Sequence, residues 1–472
     1  MIYAITISVV VLILCAVTVY KTRSVKNEAD FLVAGRSLPW PVLVFTLLSS
    51  WIGAGSLLAG AENAYRNGFA ALWQPAGGWL GLVIIALIAG RARSFAQFTV
   101  PDLLEARYNA TARVLATIAI VISYTVITSY QLIGGGDILH LIFPDIASTT
   151  GRYIIAAFVI AFTAAAGMAS IAYLDLFIGV LVTLTVIVAV PVLLAHTGGW
   201  SAVHAALPPT HFQPLGNLSF LEALQLLLPT MLLLIGNQGM YQKFFSAKSE
   251  RDARLSVYGW IVGTVILETL LVMLAVIASA TLKTNRPREI IPLAARQALP
   301  PLLGAVLLGG VFAKVVSTAN NYLFSPATNL IHDVYERFIN PNATQRQTLI
   351  VSRVIVVLLG CFALLQATQF ESVLEASLYA YTIYGAAVTP AVMAVFFWKR
   401  TTKQAAVTSI VLGTGITVVW KLLQQHAPRL LPFKADLDAI YPALFFSLAS
   451  LIVISLLTPA PTANELAMVE RR

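Results

Sequence analysis

The run VFAKVVSTANN, residues Val311–Asn321, sets a lysine, two adjacent hydroxyls and two asparagines inside a stretch that is otherwise apolar. A lysine at the centre of a bilayer costs roughly 2.5–3.5 kcal/mol on insertion scales, so a partner must compensate it or a function must use it. Lys314 stands one helical turn before Ser317 and therefore on nearly the same face. Two hydroxyls side by side suit a small hard cation, which takes oxygen ligands. The same pair can also simply bond back to the preceding turn of its own helix. Lys314 has two readings as well. Its ammonium turns to water or to a carboxylate such as Asp175 or Glu268, or it gives up and takes back its proton, and so replaces a bound cation or competes with it.

These residues need a membrane around them, and the composition supplies one. Of 472 residues, 58% are hydrophobic and 11% charged, against about 25% charged in a soluble domain. Apolar runs long enough to cross a hydrocarbon core of roughly 30 Å recur along the chain. Thirteen spans are expected, at about 1–20, 40–62, 69–90, 111–143, 152–167, 169–195, 218–240, 255–281, 302–331, 348–368, 371–398, 404–424 and 440–458. The first twenty residues have no basic leader and no small-residue cleavage site, so they read as a retained span. Cys15 and Cys361 lie in separate apolar runs, which gives a disulfide or a metal site no second half.

The net charge of +9 is scattered between spans rather than gathered on one face, so it reads as topology and not as nucleic-acid binding. Alternate loops, beginning at KTRSVK, RARSFAQF, YQKFFSAKSERDAR, HDVYERF and WKRTTK, hold 20 of the 30 Lys and Arg together with the C-terminal tail. Those loops are expected in the cytoplasm, with the N-terminus outside and the C-terminus inside. The segment TLKTNRPREIIPLAAR runs against the rule, with four basic residues on the outer side.

Two spans are interrupted in corresponding places, SSWIGAGSLLAG in the second and PTMLLLIGNQG in the seventh. Matching interruptions point to a transporter, because freed carbonyls and half-helix ends bind ions at mid-membrane. Close packing through small residues is the other reading.

The order of SLPW, WIGAGSLLAGAENAYRNG, VPDLLEARYN, GMASIAYLDLFIG, GNQGMYQKFFSAKSERDAR and STANNYLFSPATNLIHDVYERF resembles the sodium:solute symporter family over nearly the whole chain. The resemblance implies an all-α polytopic membrane protein with a LeuT-like five-plus-five inverted repeat and broken first and sixth core helices. On that basis residues 1–39 are an extra span and loop, 40–200 the first repeat, 201–398 the second, and 399–472 two further spans and a tail. It implies a sodium site made by carbonyls of Ser49, Ile52 and Lys314 and by the hydroxyls of Ser317 and Thr318. Asp175 matches a family aspartate that lines the ion exit path, although Ile178 replaces the glutamine usual three residues later. An interface carboxylate capped by nearby hydroxyls is the alternative for Asp175.

A solute pocket is expected beside the breaks, lined by Trp51, Ser56, Gln74, Tyr130, Gln131 and Asn237. Pro75 stands where sugar-binding relatives carry an acidic residue, which argues against a sugar. Glu268 reads as structural, with no partner visible in the sequence, and Gln238, Gln242 and Lys243 as setting topology and packing. The expected function is uptake of a small organic solute driven by sodium, with proton coupling or exchange through Lys314 as the alternative. Sodium is the coupling ion, no cofactor is implied, and the lipid bilayer is the one other partner, with no obligatory protein partner. An enzyme would need converging His, Asp, Glu or Cys groups at one depth, which the sequence does not suggest. A sensor would need an attached signalling domain.

Overall fold

The computed structural model describes residues 2–22, 34–94, 99–165, 168–370, 372–431, 437–462 and 466. Most of the loop beginning KTRSVK, the second half of RARSFAQF and most of the C-terminal tail lie outside the described residues. Apart from one bridge between Leu38 and Ala247, the described residues form helices and turns. This is the state that satisfies backbone groups within each segment when no water is at hand.

The helices are α1 (Ile2–Thr22), α2 (Trp40–Trp51), α3 (Gly60–Asn67), α4 (Trp73–Ser94), α5 (Val100–Arg107), α6 (Ala110–Ile142), α7 (Ser148–Ala165), α8 (Met168–His196), α9 (Gly199–Ala206) and α10 (Phe220–Gly236). They continue as α11 (Gln238–Phe245), α12 (Glu250–Thr281), α13 (Ile290–Gln297), α14 (Pro301–Asn329), α15 (Gln345–Gln366), α16 (Val373–Ala387), α17 (Thr389–Phe397), α18 (Lys403–His426) and α19 (Ile440–Leu457). Several begin at a side chain that accepts from an otherwise orphaned backbone N–H. Asn109, Ser249, Ser372 and Thr402 cap α6, α12, α16 and α18, and Ser219 with Glu222 forms a capping box on α10.

Ten helical stretches among the described residues are long and apolar enough to cross a membrane, or eleven if α16 and α17 count as one bent span. The expected thirteen is therefore not established. Ile2–Ala16 and Trp40–Trp51 are apolar but short of a full crossing, and Gly55–Gly90 counts as a single stretch. The bend of 41° between α16 and α17 was not expected. Pro390, at the start of α17, offers no N–H to the preceding turn, and its ring crowds the carbonyl of Ala386.

Helix α14 is the interior of the molecule. In its most apolar stretch 83% of residues are buried, against 28% for α15. It packs on α6, α8, α1 and α2, while α4 packs on α10 and α12. The last pair comes very close at Gly77, where a Cβ would meet the Leu227 carbonyl at 2.1 Å. Along the outer side of α4, Leu80, Val83 and Leu87 are exposed at helical spacing, as suits a lipid-facing stripe.

Loops expected on one side of the membrane bond to one another. Leu38 pairs with Ala247 and Arg93 donates to the Ala247 carbonyl, while Arg107 donates to the carbonyls of Lys399 and Thr401. The loops expected on the other side do likewise, through Arg288 to Asp137, Ser372 to Glu62 and Tyr3 to Ala295. The first group is held by an ionic knot. Arg113, at the start of α6, pairs with Asp102 and Glu105 of α5 and with Asp333 just beyond α14, while Arg337 donates to Glu105 and Thr99 to Asp333. Burial pulls the Glu105 carboxyl upward, but its hydrogen bonds from Arg113 and Arg337 outweigh this and leave it below the ordinary carboxylate range. Glu105 therefore stabilises the knot at neutral pH and ceases to do so as pH falls through its lowered value.

Asp333 is fully buried, and removing one partner of a buried ion pair costs about 3–5 kcal/mol. Arg113→Met should lower the detergent melting temperature sharply, and Arg113→Met with Asp333→Asn should recover part of the loss. An unchanged melting temperature in the single variant would mean that the knot does not hold α5, α6 and α14 together.

Candidate ion and solute site

The first break lies between α2 and a wide π turn, Gly55–Ala59. Ile52 leaves the helix with φ −84° and ψ 102°, and the Gly53 carbonyl takes the N–H groups of both Ser56 and Leu57. Gly53 is obligatory there, because a Cβ would lie 2.6 Å from the Thr318 side chain of α14. The second break is at Asn237, φ −56° and ψ 110°, between α10 and α11. Both interruptions read from the sequence are thus real breaks.

Helices α2, α8, α11 and α14 meet on one side of the first break. Asp175 of α8 is fully buried. Its Oδ2 accepts from Thr46 at 2.9 Å and from Ser50 and Asn321 at 3.2 Å, and its Oδ1 accepts from the Ser317 hydroxyl. Thr318 donates to the Ser49 carbonyl at 3.4 Å, and Ser49 Oγ, buried, has no hydrogen-bond partner. Ser49, Ser317, Thr318 and Asp175 are therefore one group of oxygens. Asp175 is capped by hydroxyls, and one of them is Ser317 itself. Ile52 is the residue at which α2 gives way. Lys314 sits in the unbroken part of α14, so its carbonyl has only a second lone pair to offer. Its Nζ is fully buried and has no hydrogen-bond partner. Lys243 is buried too, and donates to Asn321 Oδ1 at 2.9 Å.

The other side of the same break lines a cavity. Trp51, Ser56, Gln74, Glu268 and Tyr381 form part of its wall, with Pro75 beside them. The free space is about 20 Å³, room for one water-sized group. Glu268 of α12, for which the sequence shows no partner, has three here. Its Oε1 accepts from Trp51 Nε1 at 3.0 Å and Ser56 Oγ at 3.1 Å, and its Oε2 from Trp79 Nε1 at 3.0 Å. A carboxylate in the middle of an apolar span is by default a functional residue, and that signal was present. Tyr381, stacked on Trp51 with centroids 6.4 Å apart, carried no such signal.

Tyr130, Gln131 and Asn237 do not line this cavity. Tyr130 is one step behind it, 3.3 Å from the Tyr381 hydroxyl. Gln131 pins the break itself, accepting from the Ala54 N–H at 2.8 Å. Asn237 closes the second break: its Oδ1 accepts from Tyr124 at 2.8 Å and from the Met240 N–H at 3.3 Å, and its Nδ2 donates to Tyr322 at 3.2 Å.

The profile of the Sodium:solute symporter family matches residues 31–413. The sodium/proline symporter of Staphylococcus aureus is 24% identical over 481 residues, covering 97% of this chain and 93% of that protein. Among solved structures, a Na+-coupled sialic acid symporter in a substrate-bound outward-open state superposes with a TM-score of 0.78 at 15% identity, over 98% of this chain and 99% of that one. Mhp1, a nucleobase-cation-symport-1 family transporter in a closed conformation with bromovinylhydantoin bound, follows at 0.59 and 13%, over 95% and 100%. These likenesses establish a LeuT-type fold. The match over most of its length makes the chain a member of the sodium:solute symporter family, and so a transporter rather than an enzyme.

Proposed function

We propose that this protein couples inward sodium flow to uptake of a small organic solute across the plasma membrane by alternating access. One observation carries the reading: Ser49, next to Thr318 and the Asp175 group, and Trp51, in the cavity wall, stand two residues apart at the end of one broken helix. An ion drawn to one face of that end and a solute bound at the other act on the same few backbone groups. Sodium is held by the carbonyls of Ser49, Ile52 and Lys314 and by Ser317 and Thr318, with Asp175 supplying negative charge through Ser317. Trp51, Ser56 and Gln74 face the solute, while Tyr130, Gln131 and Asn237 support the two breaks. The domain limits at 40–200 and 201–398, and a cytoplasmic C-terminus, belong to the same reading.

The driving force suffices. One sodium ion crossing about 100 mV gains roughly 2.3 kcal/mol, and a tenfold gradient adds about 1.4 kcal/mol. The Staphylococcus aureus relative's name makes L-proline the first solute to assay, ahead of other amino acids, organic acids and polyols.

Replacing Ser317 and Thr318 together by alanine removes two of about five ligand oxygens. The sodium concentration that half-maximally stabilises the purified protein, or drives uptake, should rise at least tenfold, equivalent to about 1.4 kcal/mol. An unchanged sodium response would remove both residues from the site.

A second reading rests on the Lys314 ammonium, buried without a hydrogen-bond partner on the helix that carries Ser317. In it the lysine carries a proton in place of sodium. The sodium reading predicts that Lys314→Met slows uptake but keeps its sodium dependence, and that wild-type uptake is flat between about pH 5.5 and 8.5. Uptake that is independent of sodium and loses its pH dependence in Lys314→Met would establish the proton reading instead.

A further inference from the structure

The reading above leaves Glu268 without a task. Two indoles and a hydroxyl hold it, and these come from α2, the π turn and α4, so one could take it for a simple tie between elements. A tie does not need a charge. All three partners are donors, so the group they surround is an acceptor on both oxygens, as an ionised carboxylate is. No Lys, Arg or His forms an ion pair with it among the described residues. Three neutral hydrogen bonds do not repay the removal of a full charge from water, and a buried charge is retained where it is paired.

The neighbouring wall makes the same demand. Gln74, 5% exposed, has its carbonyl oxygen Oε1 buried with no hydrogen-bond partner, and it lines the same cavity as Glu268. Two acceptors thus border one water-sized space, and the hydroxyls in its wall are engaged: Ser56 donates to Glu268, Thr230 to the Leu226 carbonyl, and Tyr381 bonds with Tyr130. The wall also carries the stacked rings of Trp51 and Tyr381, whose faces attract cations. What fits is a cation with more than one N–H to donate. We propose that the cavity beside the first break selects a solute bearing a protonated amine, which donates to Glu268 and Gln74 and supplies the positive charge that Glu268 lacks. A sugar or a polyol can donate hydroxyls to both acceptors but brings no positive charge to Glu268, and a purely anionic acid brings a like charge, so neither pairs the buried carboxylate. This names the solute class of the site proposed above and rests on that reading.

The test uses purified full-length protein at constant sodium concentration, read by thermal stabilisation. The probes are the twenty amino acids, ethanolamine and putrescine, with amine-free counterparts for three of them: cyclopentanecarboxylate for L-proline, ethylene glycol for ethanolamine and butane-1,4-diol for putrescine. At least one amine should stabilise the protein saturably, with a half-saturating concentration at least tenfold below that of its amine-free counterpart. Glu268→Gln should abolish that preference and Gln74→Leu should weaken it, while both variants keep a saturable stabilisation by sodium. The wild-type comparison stands even if Glu268→Gln folds poorly. Amine-free counterparts that bind as well as the amines, or a panel in which no amine binds, would overturn the proposal. So would a Glu268→Gln protein that keeps the amine preference or that loses its response to sodium, since Glu268 would then be a tie or an ion ligand. Wild-type protein with amine preference but no response to sodium would instead count against the sodium reading alone.

Discussion

A helix that stops in the middle of a membrane leaves amide and carbonyl groups with no water to satisfy them, and everything around the first break follows from that constraint. An unsatisfied buried group costs about 1–3 kcal/mol. Two partners that meet freed backbone groups, and two that hold the segment's side chains, come from four different helices. Gln131 of α6 takes the Ala54 N–H, Thr318 of α14 reaches the Ser49 carbonyl, Asp175 of α8 gathers Thr46 and Ser50, and Glu268 of α12 gathers Trp51 and Ser56. The broken segment is thus the hub through which four otherwise separate helices feel one another. Any ligand that displaces one of these bonds changes the conditions for the others, which is the physical content of a coupling free energy between ion and solute.

The second break is managed differently. Tyr384 donates to the Gly236 carbonyl at 2.7 Å and accepts from the Gln238 N–H, while Tyr124 and Tyr322 engage both ends of the Asn237 amide. Here the protein's own phenols fill the roles that ion and solute are proposed to fill at the first break. Tyrosine suits this, with an apolar ring for the packed interior and one hydroxyl to meet the freed backbone. Two breaks at matching places are therefore satisfied differently, one bordering a cavity and the other held shut by side chains.

The fold was largely legible in the sequence because membrane helices announce themselves through length and apolar content, and the breaks through Gly53 and Asn237. The count of thirteen is not established among the described residues, because the apolar stretches Ile2–Ala16 and Trp40–Trp51 are short, Gly55–Gly90 counts as one, and the bend at Pro390 divides a span that reads as continuous. At the site, motif and resemblance single out Ser317, Thr318, Trp51, Ser56 and Gln74, and the structure puts the hydroxyl pair beside Ser49 and Asp175 and the other three in one cavity wall. That the Asp175 carboxylate meets Ser317 is visible only in the crossing of α8 with α2 and α14. A polar residue at a break, such as Gln131 or Asn237, looks the same in sequence whether it faces a ligand or the backbone. Glu268 and Tyr381 lie on helices remote in sequence from the break, and no local pattern ties them to it.

The central claim is that the oxygens gathered at the first break bind sodium and that Asp175 supplies their charge. Equilibrium binding of radioactive sodium to the purified protein, without any solute, tests it most directly. Wild-type protein should bind sodium saturably, and Asp175→Asn, with its helical content unchanged, should weaken binding at least tenfold. Equal binding by the two proteins would contradict the account.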